Sequence, residues 1–143
     1  MRIAAVLAAL LAAGCSSPAE LGVRDARVGL PAAPGRPGVA YLTITGGREA
    51  DTLLSVRTPG AIRSELHQSA MQGGMMTMRP VRDIPVPAGA TVTLRQGGLH
   101  VMLFDMNPAL RPGGTVKLTL AFASGRRLDT DARITAPGDP HAH

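Results

Sequence analysis

The sequence predicts an all-β domain, an antiparallel β-sandwich of about eight strands, and three observations carry that prediction. Glycine and proline recur throughout, with 17 Gly and 12 Pro in 143 residues, so that no long stretch after the first twenty positions is free of both; long helices are disfavoured by such punctuation. Between these breaks lie short runs of alternating apolar and polar residues, the pattern of half-buried strands. Only Tyr41, Phe104 and Phe122 are aromatic and Trp is absent, which leaves an aliphatic core built from Val, Leu and Ile.

The runs follow one another at regular intervals. Residues 39–45 alternate and stop at Gly46-Gly47, and residues 52–58 stop at Pro59-Gly60. Further runs cover 62–70, 75–79, 90–95, 99–104, 115–123 and 128–135. Strands spaced this closely, joined by turn residues, point to a sandwich or small barrel. A single helical turn is expected near Asn107–Leu110. The Gly-rich segment after Met71 predicts a hairpin, with either Gln72-Gly73 or Gly73-Gly74 as its two-residue turn. The first choice sets His67 directly opposite Met78. The second makes them diagonal neighbours, and both keep the two on one face.

Before the strands comes an export segment. One positive charge at Arg2 precedes eleven apolar residues from Ile3 to Ala13, and Gly14-Cys15-Ser16-Ser17 follows. That apolar run has the length of a secretory signal core and is shorter than the ~20 residues a spanning helix needs. Small residues before Cys15 resemble the bacterial lipobox, in which the cysteine is lipidated, although Ala12 stands where that pattern prefers Leu; ordinary cleavage nearby is the alternative. The expected organisation is a signal peptide at 1–14, a tether at 15–22, one domain at 23–135 and a disordered tail at 136–143, on an exported, periplasmic, membrane-anchored monomer.

Several function classes are disfavoured by composition. The net charge is +5, but the basic residues are scattered, with Arg126-Arg127 the only adjacent pair, and aromatic stacking platforms are missing; no nucleic-acid partner is expected. Cys15 is the only cysteine, so one chain offers no disulfide framework, no CxxC motif and no multi-thiolate cluster. A blue-copper centre needs a Cys ligand beside two His, and Cys15 lies in the export segment. No nucleophile elbow, HExxH motif or phosphate loop appears, and an enzyme is not expected.

What remains are histidines and methionines. On a strand over residues 99–104, His100 and Met102 share one face while Val101 and Leu103 take the other. Together with His67 and Met78 on the hairpin, they could converge on a single ion. Thioether sulfur is a soft, neutral donor suited to Cu(I) rather than to zinc or hard cations. Met76 falls on the same face as Met78 and is expected to pack in the core, with an accessory sulfur for the ion as the alternative. His141 and His143 offer at most a weak Cu(II) or Zn site in a solvated tail. Each of these residues has a plain packing role as its competing explanation, and joint spacing is what distinguishes them.

Ten residues separate His67 from Met78, 21 separate Met78 from His100, and one separates His100 from Met102. This spacing resembles the periplasmic copper chaperone family PCu(A)C, whose signature is H-x10-M-x21-H-x-M. The flanking blocks Glu65-Leu66-His67, Gly74 to Val81 and Gly97 to Leu103 resemble the family's motif blocks as well. The resemblance implies a cupredoxin-like sandwich binding one Cu(I) near its surface through His67, Met78, His100 and Met102. It further implies delivery to the CuA centre of cytochrome c oxidase, directly or through a Sco-type protein. A copper-sequestering tolerance protein and a metal-free structural lipoprotein are the competing readings.

Overall fold

The computed structural model describes residues 19–139. The export segment with Cys15, and the tail residues His141 and His143, lie outside the described residues. Ten strands form in chain order: β1 (Gly22–Gly29), β2 (Gly38–Thr45), β3 (Asp51–Arg57), β4 (Ala61–Gln72), β5 (Met75–Pro80), β6 (Ile84–Val86), β7 (Thr91–Leu94), β8 (Leu99–Met106), β9 (Thr115–Phe122) and β10 (Arg127–Thr135). They hydrogen-bond in the order β5-β4-β8-β2-β1-β10-β9-β3-β6, with β7 also pairing β2.

Alternation drives the folding of this sheet onto itself. Along β9, Val116, Leu118, Leu120 and Phe122 are buried, and along β2 Ala40, Leu42 and Ile44 are, while the residues between them face outward or lie half-buried, except Thr43, which is buried too. Leu66 of β4 and Val101 and Leu103 of β8 join the same cluster. Of its buried members only Phe122 is aromatic, so the core is aliphatic as expected. Each fully buried Leu or Val contributes about 1.5–3 kcal/mol of transfer free energy, and the burial of one face of β4 and β8 leaves the opposite face free for chemistry.

Three expectations are corrected. Strands β1 and β6 bring the number to ten rather than eight. In β1 the charged run Arg24-Asp25 and a register shift between Arg24 and Arg27 interrupt the apolar alternation, and β6 is three residues long with Pro85 at its centre. Second, β1 pairs with β10 in parallel, Val28 beside Ile134, so the sheet is not wholly antiparallel. Third, the segment at Asn107–Leu110 is a turn and no helix: the Ala109 amide donates to Asn107 Oδ1 at 2.9 Å and the Leu110 amide to the Asn107 carbonyl at 3.2 Å, the self-bonding that makes Asn a turn former. At the start of the described chain Leu21 packs in the core and Gly22 opens β1. In the tail, residues 136–139 contain a turn closed by the Asp139 amide on the Ala136 carbonyl.

Candidate metal centre

β4 is flanked by β5 on one side and β8 on the other, and its registers determine what meets. On the β5 side Gly73 and Gly74, with φ of 56° and 81°, make the two-residue turn, the positive-φ pair a twisted hairpin demands. The second of the two predicted registers is therefore adopted: Ser69 opposes Met78 and His67 opposes Pro80, so Met78 is diagonal to His67. On the β8 side His67 directly opposes His100, and Glu65 opposes Met102. All four residues read from the spacing thus lie on one face of three adjacent strands. The two imidazoles sit side by side, ring centroids 5.9 Å apart and tilted by 41°. Met78 and Met102 lie two residue pairs away from them, the next on the same face, in opposite directions along the strands.

Hydrogen bonds fix each ring. His100 Nδ1 is 2.9 Å from the Gly98 carbonyl; a carbonyl only accepts, so Nδ1 carries the proton and Nε2 is left with its lone pair. His67 Nε2 is 2.9 Å from Glu65 Oε2; a carboxylate only accepts, so Nε2–H donates to it and Nδ1 is left with its lone pair. The two leftover nitrogens, His67 Nδ1 and His100 Nε2, are buried and have no hydrogen-bond partner. An unpaired buried polar atom costs about 1–3 kcal/mol, and native proteins keep few of them. Here the two unpaired atoms belong to cross-strand neighbours, and each can offer a lone pair to the space between the rings. Fixing the outer ring nitrogen by a carboxylate or carbonyl is also how metal-binding histidines are oriented.

Burial differs sharply across the donor set. His100 is 3% exposed, the His67 side chain 13% and Met78 58%, so the centre opens to solvent on its β5 side. Burial lowers the pKa of His100 below its ordinary 6.5; the hydrogen bond to Gly98 opposes this and the neighbouring charge of His67 adds to it. The Glu65 carboxylate is held below its usual range, chiefly by the hydrogen bond from His67 and then by the charge of Arg63. Arg63 donates to Glu65 while its guanidinium lies 3.9 Å over the Phe104 ring. A chain from Phe104 through Arg63 and Glu65 therefore orients His67.

Sequence reasoning passed over Glu65 as a functional residue, although its position two before His67 on a strand, hence on the same face, was the available signal. Replacing Glu65 by Ala releases the His67 ring and is expected to weaken metal affinity about 10–100-fold without unfolding the protein, since Glu65 is only half-buried. A competition titration of Glu65→Ala against wild type checks this, and equal affinities would remove Glu65 from the site.

Met76 does not pack in the core as expected: it is 54% exposed, and Met71 and Met75 are more so. Its strand, β5, is the edge of the sheet and exposed throughout, so alternation there sorts faces without burying either. Met106 packs against the core. Among the described residues no three His, Cys, Asp or Glu side chains come together as a metal-holding group, and the donor set depends on thioether sulfur. A surface cavity of about 880 Å³ lies towards the start of β4 against Ile62, Met106 and Leu110 and includes none of the four donors.

Fold and face together define a thiol-free β-sandwich that offers two imidazoles and two thioethers on adjacent strands. A family model described as "Putative lipoprotein LpqE-like" matches residues 21–134, and this chain belongs to that family, of the PCuAC type. Among solved structures, CuI-DR1885 from Deinococcus radiodurans is 30% identical, with 90% of this chain and 85% of that one covered and a TM-score of 0.64. The apo PCuAC domain from PmoF1 is 25% identical over 84% of this chain and 97% of that one, TM-score 0.67. The copper-bound PCuAC domain from PmoF2, at 20% identity, shares the fold with a TM-score of 0.68 over 85% and 97% of the two chains. A curated relative described as "Putative lipoprotein Lxx21020", from Leifsonia xyli subsp. xyli (strain CTCB07), is 34% identical over 62 residues, 43% of this chain, and the chain spans only 37% of that relative's length. The family membership and the all-β fold expected from the spacing and punctuation are both borne out.

Proposed function

We propose that this protein is an exported copper chaperone that binds one Cu(I) through His67 Nδ1, Met78, His100 Nε2 and Met102 and yields it to a thiolate-bearing acceptor, the CuA centre of cytochrome c oxidase or a Sco-type protein. The observation that carries this reading is the pair of buried, partnerless ring nitrogens, each held in the tautomer that presents a lone pair. The Cu(I)-bound state of the neighbour from Deinococcus radiodurans supports it, and the lipoprotein description of the family supports an exported chain anchored through Cys15 in the periplasm. The protein acts by binding and release, with no catalysed reaction.

Chemistry explains why such a centre suits a carrier. All four donors are neutral, so Cu(I) keeps its charge and remains attractive to an anionic thiolate, and the exposed Met78 side is where an incoming ligand can displace a thioether stepwise. Methionine in place of cysteine also keeps the site from closing into a disulfide in an oxidising compartment. The test is transfer: the Cu(I)-loaded protein is mixed with an apo CuA domain and with an apo Sco-type protein, and the metal is followed by size separation. Movement of copper to either supports delivery; retention by this chain in both mixtures makes it a sequestering protein instead.

A pH dependence follows. Copper competes with protons for the ring nitrogens, so Cu(I) retention is expected to weaken as pH falls below about 6.5, with the proton competition at His100 displaced to lower pH because its folded pKa is lowered. The metal-free fold changes in the same direction. Between the unfolded and folded pKa of His100 the unfolded chain binds more protons, so stability is present above about 6.5 and is lost as pH falls through the folded value. Competition titrations from neutral pH down to about pH 5 check this, and a flat profile would contradict imidazole ligation.

A further inference from the structure

We propose that Met71 and Met76, near the tip of the β4–β5 hairpin, form a second Cu(I) site: a landing pair that captures the ion from solution and passes it along the strand face to the centre at His67 and His100. This rests on the copper reading above and adds a site outside the four-residue set.

The register supplies the pair. Gln72 and Met75 close the Gly73-Gly74 turn, and Met71 opposes Met76 immediately behind them. Pairs in an antiparallel ladder alternate between hydrogen-bonded and non-hydrogen-bonded, and the pair closing a two-residue turn is hydrogen-bonded. Met71 and Met76 are therefore the close, non-hydrogen-bonded kind, with Cα atoms about 4.5 Å apart. Both are exposed, at 63% and 54%, so core packing does not account for them. Met75, on the other face of the ladder, is not part of the pair.

Composition argues for sulfur rather than for apolar area alone. From Ala70 to Arg79 every large apolar side chain is methionine, and four of the six exposed large hydrophobic residues among the described residues belong to this hairpin. A patch needing only greasy surface would be served equally by Leu or Ile, which occur throughout the rest of the chain. Two thioethers without anion or imidazole select Cu(I) and hold it weakly, as a point of entry should.

The path onward is short. Met78 is two residues beyond Met76, one strand repeat of about 6.8 Å on the same face, and it is diagonal to His67. Long, flexible thioether side chains can span such a step. Transfer is ligand exchange: a sulfur–copper bond forms at Met78 as the bond at Met76 breaks, copper stays Cu(I), and no proton or electron changes hands.

The experiment uses the full chain with labelled methionine methyl groups, titrated anaerobically with Cu(I) and followed by NMR together with the histidine ring signals. Wild type is expected to shift the His67 and His100 rings with the Met78 and Met102 methyls over the first equivalent, and the Met71 and Met76 methyls beyond it. The Met71→Leu/Met76→Leu variant keeps the first event, loses the second, and takes up Cu(I) from a competing chelator more slowly. Ring shifts with unmoved Met71 and Met76 methyls through excess copper would overturn the landing pair and leave the main centre standing. Shifts confined to Met71 and Met76 would do the reverse, and no shift anywhere refutes both. Equal uptake rates for variant and wild type would remove the relay.

Discussion

Replacing His100 by Leu is expected to lower Cu(I) affinity by more than about 100-fold, beyond the range for losing an outer-shell partner, while leaving the metal-free protein as stable as wild type or more so. The two halves of this expectation have one cause. His100 is buried with Nε2 unpaired, which costs about 1–3 kcal/mol in the absence of metal, and Leu of similar volume removes that cost. The Gly98 carbonyl is not orphaned by the change, because it also accepts from the Ser69 amide at 3.0 Å. Denaturant midpoints and Cu(I) competition on the same preparation read both quantities. A variant that binds copper as wild type does, or one that loses several kcal/mol of stability, would show His100 to be a packing residue and the four-donor centre to be wrong.

Loading with Cu(I) is expected to raise the melting temperature by roughly 12–24 °C. A ligand that binds only the folded state at about 1,000 times its Kd adds about 4 kcal/mol, and for a domain of this size each kcal/mol is worth roughly 3–6 °C. The rise should vanish in the His67→Ala/His100→Leu double variant, whose exposed methionines Met71, Met75 and Met76 remain. Thermal unfolding under buffered Cu(I) therefore separates the four-donor centre from weak binding at the hairpin sulfurs. An equal rise in both proteins would locate the stabilising ion somewhere other than between β4 and β8.

Much of this was legible in the chain. The alternation along residues 115–123 and 99–104 appears as β9 and β8, with Val101 and Leu103 buried behind His100 and Met102 as period two requires. What escaped was local in each case. A bulge and a charge run hid β1, three residues were too few to announce β6, and an Asx-bonded turn at Asn107 resembled the start of a helix. Met76 was assigned to the core because alternation says which residues share a face, whereas burial depends on whether another layer covers that face, and nothing covers the edge strand β5.

The amino-acid order by itself determined the donor types, their grouping into a hairpin pair and a strand pair, and the absence of any thiolate rival within the domain, since these depend only on residue chemistry and a two-residue period. Only the tertiary structure decided that β4 and β8 are neighbours with His67 facing His100, which ring nitrogen each histidine leaves free, and that Glu65 and Arg63 hold one of those rings. Such facts depend on strand order and register between segments some thirty residues apart, which are set by how the whole aliphatic core closes, and no local pattern encodes them.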